Sequence, residues 1–351
     1  WSHSTMPARF DNLGYYTLAG AAPDPRELIR EARDGERLGL GWAFISERLN
    51  VKEAATLSGA VGAVSEHLQI ATAATNHFTR HPLVTAAYAT TMHRLTRGRF
   101  TLGLGRGIGP MTKALGVPPV TTAQLEDFAG LMRRLWRGET IVGHDGPCGR
   151  FPFLRLDPEF DEDIPLGITA FGPNTLRLAG RAFDQVVLHT FFEDETLARC
   201  VRTVKEEAER VGRDPDAVKV WSCLATIGDH LPPEVQLKKT VGRMATYLQA
   251  YGALLVRTNN WDPAPLERFR ADPFVANFQG AIDQKATTAE LEHVATLIPE
   301  AWLAPAATGS PQRCVEVIQR QFDLGADGVI LHGASPAELE PIVRAWAAAH
   351  P

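Results

Sequence analysis

From residue 10 onward, short apolar runs alternate with segments whose apolar residues recur at helical spacing, the pattern of βα units feeding a parallel sheet. Asn12 to Leu18 reads as the first strand, and Asp24 as the cap of a helix running to Leu38 with Pro25 in its first turn. Trp42 to Ser46 is the second strand, followed by a helix over Lys52 to Glu66. Gln69 to Thr75 is the third, followed by a helix over Pro82 to Leu95, and Phe100 to Leu104 is the fourth. A loop then reaches Thr121, after which Leu125, Phe128, Leu131, Met132 and Leu135 mark a helix over Thr122 to Arg137.

Glu139 to Leu156 breaks the rhythm. Thr140 to Val142 and Phe151 to Leu156 flank Gly143, Gly146 and Gly149, which predicts a β-hairpin excursion. The βα alternation resumes with a fifth strand at Pro165 to Thr169, a helix over Asn174 to Ala182, a sixth strand at Asp184 to Leu188, a helix over Thr196 to Val211 and a seventh strand at Lys219 to Thr226. About 228 to 305 carries helical segments and many prolines with no clear strand, and is too long for a structureless loop, so it reads as a helical insertion. Ser310 then caps a helix over Pro311 to Leu324, Gly328 to Leu331 is strand eight, and Ser335 to Ala349 is a last helix. The count predicts a single (β/α)8 TIM barrel over 8–351, with a helical insertion between strands 7 and 8 and a β-hairpin excursion after helix 4. No internal repeat competes with it.

Composition narrows the partners. The 351 residues are 44% hydrophobic, as expected of a chain with a sizeable core, and the net charge of -5, without a Lys/Arg cluster, excludes nucleic acid as the expected partner. No run reaches the length of a membrane span and the first residues lack a signal-peptide core, so a cytoplasmic protein is expected. Trp1 to Thr5, ahead of Met6, read as the remnant of an expression tag. Cys148, Cys200, Cys223 and Cys314 are far apart and form no C-x-x-C, which suggests neither a disulfide framework nor a zinc knuckle.

Two turns are candidates for holding phosphate. Arg97 to Pro110, RGRFTLGLGRGIGP, couples the fourth strand to a turn with Gly103, Gly105, Gly107 and Gly109 around Arg106, where converging N–H groups and a guanidinium suit an anion. Its glycines alternate strictly and Pro110 follows, so the dinucleotide fingerprint fails, and a P-loop G-K-[ST] is absent. The same residues also fit a plain strand-to-loop turn with an exposed arginine. Thr169 to Thr175, TAFGPNT, runs from the fifth strand into a helix N-terminus, which favours phosphate; alternatively Asn174 simply caps that helix.

In a barrel, active sites gather where strands end. The polar residues there are Glu47 and Arg48 after strand two, Thr75, Asn76 and His77 after three, Arg106 after four, Thr175 after five, His189 after six and His332 after eight. His77 and His81 stand four apart, but no H-E-x-x-H carboxylate lies between them and His81 precedes Pro82, so no metal site is expected.

Three stretches together, TAATNHFTRHP (Thr72 to Pro82), LTRGRFTLGLGRG (Leu95 to Gly107) and PLGITAFGPNTLRLAGRAFD (Pro165 to Asp184), give nearly the whole chain a resemblance to the luciferase-like superfamily of flavin and deazaflavin barrels. The resemblance implies a non-proline cis peptide at Ala73–Ala74, supporting the back of the isoalloxazine ring, where family members often have Gly or Ser followed by a β-branched residue. It implies phosphate contacts from Arg106, flanked by Gly105 and Gly107, and from Gly172 and Thr175, with Ala170 and Phe171 leading into that second turn. Glu47 matches an acidic residue near the ring in deazaflavin-dependent members, and Asn76 is a further cofactor-binding candidate. Where the family usually has His, this chain has Arg48, which cannot shuttle protons near neutral pH but can bind an anionic substrate or stabilise developing charge. The sugar-phosphate dehydrogenases of the deazaflavin branch carry a glutamate where Ile108 stands, so glucose-6-phosphate oxidation is disfavoured.

The expectation is a coenzyme F420-dependent oxidoreductase acting on a small organic substrate, with His77, Glu47, Arg48 and His189 as catalytic candidates and a homodimer implied by the resemblance. An FMN-dependent monooxygenase using O2 is the alternative, since Arg106 and Thr175 suit the FMN phosphate equally. A barrel that binds flavin without turnover is a third reading, kept open by Arg48.

Overall fold

The described residues form eleven strands among the helices. They are β1 (Phe10–Tyr16), β2 (Leu40–Ile45), β3 (Gln69–Thr72), β4 (Phe100–Leu104), β5 (Ile141–Gly146), β6 (Gly149–Leu154), β7 (Leu166–Thr169), β8 (Gln185–Val187), β9 (Lys219–Gly228), β10 (Ala307–Gly309) and β11 (Gly328–His332). The structure, a computed structural model, describes residues 9–20, 23–107, 109–156 and 160–350. Ile108 and the first five residues, on which two of the sequence expectations rest, lie outside the described residues.

The sheet runs in the order β10-β9-β11-β1-β2-β3-β4-β7-β8, with β8 also paired to β9. Each pairing with a resolved register in it is parallel, as β2–β3, β3–β4, β4–β7 and β7–β8 show. Eight parallel strands, β1 to β4, β7, β8, β9 and β11, separated by helices give the (β/α)8 barrel topology that the periodicity predicts. β5 and β6 pair antiparallel as the expected hairpin. β10 is a short addition beside β9 that the sequence pattern does not announce.

The chain divides into two compact units, one of Trp1–Gly41, His189–Arg199 and Ser222–Pro351, the other of Trp42–Leu188 and Cys200–Trp221. In the second, Phe44 and Phe100 are fully buried, with Trp221 edge-on to Phe44 and Tyr88 edge-on to Phe100. The helix Thr122–Trp136 buries Leu125, Phe128, Leu131, Met132 and Leu135, and a reciprocal capping box between Thr121 and Gln124 fixes its start. In the first unit, Leu13 and Tyr15 of β1 and Val329, Ile330 and Leu331 of β11 are buried side by side along a parallel register.

The structure corrects three local expectations. Asp24 does not cap the first helix, which spans Glu27–Arg37; its carboxylate accepts the Arg26 N–H and guanidinium, closing a turn before the helix begins. The loop after β4 contains a short helix, Gly109–Ala114. The N-cap of Pro173–Ala182 is Gly172, without a side-chain cap, while the Asn174 carbonyl accepts from Arg177.

The insertion is helical, as its composition predicts, and its longest helix, Arg243–Thr258, departs from helical geometry at Tyr251. A buried ion pair ties it to Ile282–Lys285: Arg243 Nη1 lies 2.8 Å from Asp283 Oδ2, and Thr246 Oγ1 donates to the other carboxylate oxygen. Removing one partner of such a pair strands the other charge. Arg243→Ala is therefore expected to lower the unfolding free energy by about 3–5 kcal/mol, read as a shift of the urea midpoint; an unchanged midpoint would show that the pair does not anchor the insertion.

Candidate functional site

Ser46-Glu47-Arg48 follow the end of β2, and the Glu47 carboxylate gathers four donors. Oε1 accepts from Arg80 Nη2 at 2.7 Å and from Ala54 N at 3.3 Å; Oε2 accepts from Thr75 Oγ1 at 2.7 Å and Asn76 Nδ2 at 2.8 Å. The side chain is only 5% exposed. Arg80 also reaches Thr75 Oγ1 and pairs with Glu53, the N-cap of the helix Ala54–Val64. A carboxylate so occupied is an anchor for the loop after β3 rather than a free acid or base. Arg80 is the residue that sequence reasoning missed, because its 33-residue separation from Glu47 leaves no local spacing signal.

The peptide bond between Ala73 and Ala74 is cis, as the resemblance implies. The following residues turn inward: Thr75 N donates to Gly103 O and Gly105 N to Thr75 O, which lays the loop against the end of β4. Asn76 Oδ1 accepts the N–H groups of Phe78 and Thr79 and so holds the turn that carries His77. His77 is buried between the rings of Phe78 and Phe128, and its Nδ1 finds no hydrogen-bond partner among the described residues. Burial holds its pKa below the usual histidine value, so the ring is neutral at pH 7. His77 lines a cavity of about 460 Å³ together with Arg80, His81, Val120, Cys148 and Phe151, among others. His81 caps the helix Pro82–Leu95 through Nδ1.

Arg106 follows β4 by two residues. Its guanidinium is half-buried, Nη1 donates to Val120 O at 3.1 Å, and Nε is buried without a partner among the described residues. Desolvation lowers its pKa, the sign of a cation left short of counter-charge. Gly105 is required by close packing, since a Cβ there would come within 2.9 Å of Ala74 Cβ and 2.8 Å of Thr169 Oγ1. Gly107 has φ +74° and is exposed. On the neighbouring strand, whose Ile168 is in register with Leu104, Ala170 is buried and bonds to Val187 O, Phe171 and Gly172 are half-buried, and Thr175 is buried in the first turn of the uncapped helix. The structure thus sets Arg106 and the Gly172–Thr175 turn at the ends of paired strands.

Arg48 is half-buried, its backbone closing a turn with Lys52. His189 belongs to the other unit and has surroundings of its own. Its Nδ1 donates to Thr190 O at 3.0 Å, which leaves Nε2 to accept the Tyr251 hydroxyl at 2.7 Å. The ring meets Tyr247 and Tyr251 edge-on, and desolvation pushes its pKa down to about 4. His332 packs edge-on against Tyr16.

No helix among the described residues is long and apolar enough to cross a membrane. The chain is 26% identical over 352 residues to a phthiodiolone/phenolphthiodiolone dimycocerosates ketoreductase of Mycobacterium tuberculosis, an alignment covering 94% of this chain and 88% of that protein. Among solved structures, the coenzyme F420-dependent tetrahydromethanopterin reductase of Methanopyrus kandleri superposes with a TM-score of 0.80 at 17% identity, covering 97% of this chain and 99% of the other. An F420-dependent secondary alcohol dehydrogenase in complex with an F420-acetone adduct gives 0.69 at 17% identity, covering 99% and 100%. The luciferase-like monooxygenase family matches residues 4–328, and this chain belongs to that family.

Proposed function

We propose that the chain is an F420-dependent oxidoreductase that moves hydride between the deazaflavin and a carbonyl or alcohol carbon of a small organic substrate. The observation that carries the reading is Arg106, a half-buried guanidinium whose Nε has no partner among the described residues, after a strand whose paired neighbour leads into an uncapped helix N-terminus. Such a pair of groups fits a phosphorylated cofactor, because each lacks an anion that the other would share. The ketoreductase relative and the fold shared with two F420-dependent enzymes support this reading. FMN-dependent monooxygenation is the second reading, since the same two groups would hold an FMN phosphate.

When bound, the deazaflavin supplies the hydride chemistry. Arg106, the N–H groups of its turn and the Gly172–Thr175 turn would hold the phosphate, and Glu47 fixes Asn76 and Thr75 in the adjoining wall. His77, neutral and at the cavity surface, has one lone pair with which to take a hydroxyl proton and one N–H with which to give a proton back. Arg48 brings a charge that can attract an anionic substrate but moves no proton. His189, the second histidine candidate, lies in the other unit and accepts the Tyr251 hydroxyl there.

Fluorescence titration with F420 and with FMN tests the cofactor. Tight binding of F420 and weak binding of FMN is expected; FMN binding without F420, together with O2 consumption dependent on reduced FMN, would replace this reading with the second. Arg106→Ala is expected to weaken cofactor binding by about 1.5–3 kcal/mol, the scale of a charged hydrogen bond, with an unchanged circular dichroism spectrum.

For His77 the sign follows from its lowered pKa. Alcohol oxidation needs the neutral ring, so kcat should be level above pH 7 and fall only as pH drops below the ordinary histidine range. His77→Gln should lower kcat by about 10²–10⁴ at pH 7 and leave cofactor affinity intact. An unaltered kcat would remove His77 from the proton-carrying role.

A further inference from the structure

Asp127 on the helix Thr122–Trp136 and His144 and Cys148 on the β5–β6 hairpin bring three different metal-binding groups together at the edge of the cavity that His77 lines. His144 Nε2 stands 3.1 Å from Asp127 Oδ2 and 3.9 Å from Cys148 Sγ, and all three donor atoms lie within 4.8 Å of one another. Tetrahedral zinc, with bonds of about 2.0–2.3 Å to nitrogen, oxygen and sulfur, spaces its donors roughly 3.3–3.6 Å apart. The two separations from His144 Nε2 therefore lie within about half an ångström of that spacing.

Two simpler readings fit less well. A nucleophile relay would use the two ring nitrogens for different partners, the acid on one and the thiol on the other; here Asp127 and Cys148 both approach Nε2. A plain tether of hairpin to helix is already provided by the Cys148 N–H, which donates to Asp127 Oδ2 at 3.0 Å, and this bond does not call for the imidazole and thiol to converge on the same carboxylate. Gly146 adds a further constraint: a Cβ there would come within 2.5 Å of Asp127 Oδ2 and 2.6 Å of His144 Nε2, so glycine keeps the space beside both donors clear. The Phe151 ring stacks on His144 with planes 18° apart and fixes the imidazole plane.

We propose that Asp127, His144 and Cys148 form a three-ligand site for a borderline divalent cation, zinc being the best match. One thiolate and one carboxylate neutralise the ion, the thiol passing its proton to solvent on binding, and the neutral imidazole completes the set. Cys148 also lines the cavity shared with His77, so a fourth ligand, water or a donor atom of a bound molecule, has access from there. The site is independent of the cofactor reading.

The test is to strip the full-length chain with a chelator and titrate it with Co2+, following the thiolate-to-cobalt charge-transfer band, and then with Zn2+. One equivalent of cobalt with a thiolate band that zinc displaces is expected. Cys148→Ser should abolish the band and, like His144→Gln, weaken zinc affinity by at least about tenfold, whereas Cys314→Ser should keep both. Absence of a thiolate band in the wild-type chain overturns the proposal whatever the variants do, as does a band that survives in Cys148→Ser.

Discussion

The ion pair between Glu47 and Arg80, buried and closed by Thr75, Asn76 and the Ala54 N–H, is the constraint on which the site in this unit depends. It joins the end of β2, the loop after β3 and the start of the helix Ala54–Val64 at one carboxylate. Taking either charge away would leave the other desolvated, a cost on the order of several kcal/mol, so the loop carrying His77 is held by a charge network rather than by packing alone. That changes the role of Glu47. The resemblance sets it beside the ring as a catalytic candidate, and the geometry makes it the post that positions Asn76, which in turn fixes the turn around His77.

Five buried polar side-chain atoms of this unit, on His77, Thr85, His93, Arg106 and Trp221, lack a partner among the described residues, and two of them belong to the candidate site. Arg106 has a buried Nε without a partner among the described residues, and His77 has a buried Nδ1 in the same condition. Buried polar groups are normally paired, and exceptions cluster where a ligand supplies the missing partner. One is cationic and one is a neutral imidazole, which is the division of labour a phosphorylated redox cofactor requires: charge at the phosphate, a proton carrier at the substrate.

Much of the fold was legible because it is written in local periodicity. Pro82–Leu95 and Phe100–Leu104 begin and end where the apolar spacing, the helix-starting proline and the flanking glycine indicate. The hairpin was visible from its glycines, and the insertion from its length and prolines. What misled was competition for the same polar groups: Asp24 looks like a cap but is taken by Arg26, and Asn174 looks like a cap but is taken by Arg177, leaving Gly172 to start its helix bare. Arg80 and the Asp127–His144–Cys148 cluster were invisible for a different reason. Their partners come from separate elements, and no sequence spacing encodes a meeting that only the tertiary fold arranges.

The central claim is that Arg106 and the Gly172–Thr175 turn hold the phosphate of a deazaflavin. The most direct measurement is a crystal structure of the protein grown with F420. Density for a phosphate is expected within hydrogen-bond distance of the Arg106 guanidinium and of Thr175. A cofactor bound with its phosphate elsewhere and Arg106 Nε still without a partner would contradict it.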